Sequence, residues 1–173
     1  IICLLLLFPL LSNQALRKRN LNYIILTSNS DLIVIGKIKD FNDKTYLFQP
    51  SEFIKGDSQS TITVEMFEEW SCDRRIKKPA IDQDLFLFLN KKEDGSYEIL
   101  NGSTGEIFIN RSEIKTFSSA DNIELYSLEV FKEAIEMIYE SIKYVGNSYP
   151  SYGERTYYKR KVVDDKIEYN LFV

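Results

Sequence analysis

Between Asp31 and Ile109 the chain repeats one design: short runs with strand character, separated by turn residues, with no helical spacing between them. The first run, Leu32–Lys39, sets the terms. Leu32, Val34, Gly36 and Ile38 fall on one face, and Ile33, Ile35, Lys37 and Lys39 on the other, so the strand starts apolar on both sides and ends half polar. Gly36 has no side chain to pack and predicts a bulge, a bend or a close backbone approach at mid-strand.

The following runs are read the same way. Phe41-Asn42-Asp43-Lys44 is turn chemistry, and Thr45–Phe53 is a second strand in which Pro50, lacking an N–H, belongs at an edge or a bulge. Lys55-Gly56-Asp57-Ser58 closes it. Ser60–Phe67 alternates, with Ile62, Val64 and Met66 inward. Asp84–Asn90 is apolar on both faces and predicts a buried strand. Asp94-Gly95 predicts a hairpin into Tyr97–Leu100, and residues 101–105 turn into Glu106–Ile109. Five or six strands meandering at this spacing predict a mainly β domain: a small OB-like barrel over residues 16–120.

The period then changes. Leu128, Phe131, Ile135, Ile138, Ile142 and Val145 recur at three and four residues, predicting an amphipathic helix over 121–146 that docks on the barrel. Asp121 with Glu124, or Ser127, suits its start and Gly146 its end, while Lys132 is spaced to pair with Glu136. Residues 147–153 read as a linker, and Tyr157–Val163 with Lys166–Val173 as a hairpin about Asp164-Asp165. Leu16–Leu26, a basic cluster (Arg17, Lys18, Arg19) followed by Tyr23-Ile24-Ile25-Leu26, suits a short helix or a strand packing on the barrel, with Thr27–Ser30 as a polar break.

At the other end, Ile1–Leu11 is apolar, of the length of a signal-peptide core and too short to cross a bilayer unaided. Ser12-Asn13-Gln14-Ala15 supplies a cleavage region, so residues 1–15 are expected to be removed. The chain opens without Met, which places the basic start of such a signal outside it. Cys3 lies too early for a lipid anchor, and the mature chain would hold Cys72 alone, with no stable membrane attachment. The expected location is therefore periplasmic or extracellular.

Of 173 residues none is histidine, which removes Ser-His-Asp and Cys-His catalysis and imidazole-ligated zinc together. No phosphate-binding glycine loop or nucleophile elbow is present. The pairs Asp82/Asp84 and Asp164/Asp165 lack calcium-loop spacing and suit turns. Neither an enzyme nor a cofactor is expected.

One segment carries reactive and recognition residues together. The connection 68–79 holds Trp70, Cys72, Arg74, Arg75, Lys77 and Lys78. Cations beside Cys72 favour thiolate, giving a thiol enzyme, a redox sensor or an intermolecular disulfide as readings, against a cysteine with no role. A basic loop beside an aromatic on an OB-like barrel also raises single-stranded nucleic acid. The formal charge of −4, and Glu65, Glu68, Glu69 and Asp73 among the cations, oppose it. Nucleic acid is not the expected partner.

Residues 28–110 resemble the bacterial branch of the netrin-like/tissue-inhibitor-of-metalloproteinases family. The matching pieces are Ser30–Ile38, Tyr46–Gly56, Ile62-Thr63-Val64, and Cys72 ahead of Asp84–Leu89. The resemblance implies an OB-type barrel in an exported protein. It departs from the inhibitory members, whose mature chain begins with a zinc-chelating cysteine where this one would begin Leu16-Arg17-Lys18. Relatives usually carry a second cysteine where this chain has Asn101-Gly102-Ser103, which implies that Cys72 lacks its internal partner. The expected function is a non-enzymatic module binding a protein or cell-envelope component.

Overall fold

The computed structural model describes residues 21–57, 59–117, 123–148, 155–160 and 170–171. The signal-like segment, the basic cluster Arg17–Arg19, Asp121, most of the linker and Asp164-Asp165 lie outside the described residues.

Five strands close a barrel. They are β1 (Leu32–Phe41), β2 (Thr45–Lys55), β3 (Ile62–Glu65), β4 (Asp84–Lys91) and β5 (Tyr97–Ile99), in the order β1-β2-β3-β5-β4 with β4 returning to β1. All neighbours are antiparallel except β3 and β5, which run parallel with Val64 opposite Tyr97. This is the small OB-like barrel that the strand spacing predicts. Three more strands, β6 (Glu106–Asn110), β7 (Glu113–Phe117) and β8 (Ile123–Ser127), continue outward from β4.

The double-faced apolar strands explain the layering. Leu32, Val34 and Ile38 of β1 join Leu85, Leu87 and Leu89 of β4 inside the barrel, with Tyr46, Phe48, Ile62, Val64 and Tyr97. The alternate residues, Ile33, Ile35, Phe86 and Phe88, face outward into a second core with Ile107, Ile109 and Ile114. Two helices cover that second core: α1 (Tyr23–Asn29) through Leu26, and α2 (Leu128–Ser141) through Phe131 and Ile135. Phe131 stands edge-on to both Tyr23 (4.9 Å) and Phe86 (5.2 Å). A strand lined by one core reads as alternating; one lined by two reads as continuous.

Gly36 sits at one of three register shifts between β1 and β2, opposite Pro50. A Cβ on Gly36 would lie 2.2 Å from the Gln49 carbonyl oxygen and 2.7 Å from Pro50 Cα, so only glycine admits this approach. Both sequence signals mark one irregularity, and it lets β1 pair with β2 on one side and in unbroken register with β4 on the other.

Elsewhere the boundaries move. Residues 23–29 form a helix that runs through Thr27-Ser28-Asn29, where a polar break is expected. Asn22 caps it, its Oδ1 accepting from Ile25 N at 3.0 Å, and Ser30 ends it by donating through Oγ to Leu26 O at 2.7 Å. The long helix expected over 121–146 is confined to α2: β8 precedes it, and β9 (Ile142–Ser148) follows. Ser127 occupies the cap position without a side-chain capping bond, and Gly146 lies in β9 at φ +136°. Lys132 pairs across to Glu52 of β2 instead of along its helix to Glu136. Most of the expected C-terminal hairpin lies outside the described residues. β10 (Arg155–Arg160) pairs with β11 (Asn170–Leu171) and also with β9, giving a separate three-stranded sheet. No described helix is long and apolar enough to cross a membrane.

Candidate functional site

The connection from β3 to β4 leaves the barrel at Met66 and returns at Gln83, and it is fixed at four places, one turn within itself and three ties to the rest of the molecule. Trp70 and Asp73 bond each other through their backbones (3.1 and 2.9 Å), making a two-residue turn with Ser71 and Cys72 at its tip. Asp73 is buried, and its Oδ1 accepts from Ser103 N at 2.9 Å, tying the turn to the short 3-10 segment Gly102–Thr104. Gly102 is obligatory there: it has φ +56°, and a Cβ would lie 2.0 Å from Asp73 Oδ2.

Arg75 is the third pin. Sequence places it among solvated cations available to a partner; the structure buries it, with its side chain 6% exposed. Its Nε donates to Glu106 Oε1 at 2.8 Å, its Nη1 lies 3.5 Å from Glu69 Oε2, and its guanidinium stacks 3.8 Å from the centre of the Phe67 ring. Its backbone N–H also reaches Glu69 Oε1, at 2.7 Å. The physical reason is the buried Glu106 at the start of β6. Its charge needs compensation in a medium that solvates it poorly, and a forked guanidinium supplies it. Tyr46 completes the cluster, its hydroxyl donating to Glu106 Oε2 at 3.3 Å. Burial pushes the Glu106 carboxyl above the usual carboxylate range, with Arg75 and Tyr46 pulling it back. Burial, then the Glu106 charge, raises Tyr46. Lys77 is the fourth pin, its ammonium 5.3 Å above Phe108.

What remains outward is a short knuckle. Trp70 is 39% exposed. Cys72 is an exposed free thiol with Ser71 Oγ 3.8 Å away. Arg74 folds back, Nε and Nη2 each 3.3 Å from the Ser71 carbonyl oxygen. Lys78 is exposed. The structure thus brings Trp70, Cys72 and Arg74 together on one turn, and removes Arg75 from the accessible set. Sequence does not mark Asp73, Glu106 and Tyr46 as site residues, and a charged residue opening an otherwise apolar strand (Glu106) is the one local sign.

Other chemistry is accounted for. Asp82 and Asp84 pair with Lys39 (3.2 Å) and Lys37 (3.3 Å) on the barrel surface, and Lys92 pairs with Glu65 at 2.6 Å. Arg75 and Lys132 are likewise committed to carboxylates. No cluster of three or more Cys, Asp or Glu among them is placed to hold a metal. A cleft of about 230 Å³ lies between the ends of α1 and α2, lined by Thr27, Ser28, Lys55, Tyr139, Ile142 and Lys143. Lys55 donates there to the Thr27 and Ser28 carbonyls (2.9 and 3.1 Å), offsetting the negative end of α1, so the cleft reads as a helix-end joint. No protein-family model matches the chain, and no curated protein matches it.

Proposed function

We propose that the chain is an exported, non-enzymatic interaction module, an OB-type barrel related to the netrin-like/tissue-inhibitor-of-metalloproteinases family, that engages a protein or cell-envelope partner through the knuckle at Trp70, Cys72 and Arg74. The observation that carries this reading is the pinning of the connection 66–83: Arg75, Asp73 and Lys77 hold it against the barrel while an aromatic, a thiol and a cation stay outside. A loop whose ends are fixed loses little entropy when its tip binds. In this reading Asp73 bonds the 101–103 turn where relatives use a second cysteine, so a polar tether stands in for the covalent one. Zinc-protease inhibition is not carried over, because the expected mature start lacks the chelating cysteine.

The test labels Cys72 with a photo-crosslinker on the mature domain and exposes it to cell-envelope extract. A discrete adduct that W70A and R74E abolish is expected. An adduct that neither variant weakens, or turnover of substrate in a hydrolase or redox screen, overturns the reading. The exposure of Cys72 as a free thiol favours one alternative, a thiol-dependent enzyme or redox sensor. Alkylation of Cys72 by iodoacetamide across pH separates the two: a midpoint well below that of a free thiol supports thiol chemistry, and an ordinary one supports the interaction module.

A further inference from the structure

The eight-stranded sheet has an unusual boundary. Because β4 closes back onto β1, the barrel has no terminal strand, and among the described residues the terminal strand of this sheet is β8. Edge strands are ordinarily blunted by lysine, proline, a bulge or brevity. β8 reads Ile-Glu-Leu-Tyr-Ser, with no lysine and no proline, and its five pairs with β7 run without a register shift. Every one of its residues is exposed, and Ile123, Leu125 and Tyr126 are 51%, 56% and 44% exposed. Three large apolar side chains on a straight, unprotected edge form a surface made for strand addition.

We propose that β8 pairs antiparallel with β8 of a second copy of this chain, about a two-fold axis at Leu125. The sequence of the strand is complementary to itself in that register. Leu125 faces the second copy's Leu125, and Ile123 faces its Ser127, which makes an apolar stripe on the face shared with Lys115. On the opposite face Glu124 meets the second copy's Tyr126, and Tyr126 meets its Glu124. Tyr126 and Glu124 already hydrogen-bond within one strand, and the pairing offers each the same partner across the axis. No like charges stand opposite each other, and the strand's one carboxylate finds a hydroxyl donor. A different protein's strand would need this pattern by coincidence; a second copy has it by symmetry. Five paired residues are a small interface, so association depends on concentration. The proposal is independent of export and of the Cys72 knuckle.

Sedimentation of the chain carrying C72S, which removes any bridge between thiols, tests it from low-micromolar to near-millimolar concentration. A reversible dimer is expected. L125K and L125E, both at an exposed position, should each be monomeric with unchanged circular dichroism, and mixing them should restore the dimer because the two charges meet at the axis. A chain that stays monomeric throughout, a dimer unaffected by L125K, or a mixture that remains monomeric overturns the proposal.

Discussion

Arg75 carries its guanidinium between two carboxylates and over a ring, so removing it and removing Glu106 have unequal consequences. In R75M the Glu106 carboxyl stays buried without its main partner, and the expected cost is about 3 kcal/mol or more of unfolding free energy. Replacing both, as R75M/E106L, removes the need for compensation and should recover most of that loss. Urea titration of the two variants checks the difference; equal destabilisation would mean the pair does not act as one unit. Sequence could not reveal this cluster. A run of four cations in five residues looks like a solvated loop, and the partner of Arg75 lies 31 residues away on another strand. Trp70, Cys72 and Arg74 were legible as neighbours because they sit on one turn.

At the scale of elements, the irregularity of β1 was the most legible feature, because it is written twice: a glycine on one strand and a proline on its neighbour. G36A drives a methyl group into the Gln49 carbonyl, and the register shift leaves no slack there. A loss of about 2 kcal/mol or more is expected by thermal or urea unfolding, whereas an alanine at Gly95, with open space around it, meets only its φ of +84°. Helix ends were less legible for a physical reason. Ile142 and Val145 keep the three-and-four spacing of α2, yet Ile142, Tyr144 and Val145 suit a strand, and β10 offers them a ladder. Pairing with a distant segment overrides a local period.

The short α1 also carries a titration. Tyr23 packs on Phe131 and Phe88 and bonds Thr116, and burial raises its hydroxyl to about 12 from an ordinary 10. A raised value means the native state holds the proton more tightly than the unfolded chain. The contribution is fully present below pH 10 and is lost as pH rises through 12, worth about 2–3 kcal/mol over that window. Y23F gives up the Thr116 bond, near 1 kcal/mol at neutral pH by the usual value of such bonds, and with it this alkaline loss. The stability difference between wild type and Y23F should therefore shrink or reverse in strong alkali. Tyr46, also raised, is present in both proteins and cancels.

Across the whole molecule, two cores share two strands. β1 and β4 send alternate residues into the barrel and into the layer beneath the helices, so neither core can be lost while the other keeps its wall. The continuous apolar run Leu85–Leu89 already implied a strand buried on both faces, while Leu32–Lys39 read as apolar on both faces only at its start. It could not say that the second cover comes from α1 before the barrel and α2 after it, because nothing local to a strand names what packs on it. Such sharing predicts that unfolding is a single cooperative event. Trp70 fluorescence reports the loop on the barrel, and circular dichroism reports α1 and α2; both should give one midpoint in urea. F131A, which opens a cavity against Phe86 on the helix side, should lower both midpoints together, at a cost of about 3 kcal/mol. Separated midpoints, with the helical signal lost first, would show that the barrel stands alone and that the outer layer is an independent addition to it.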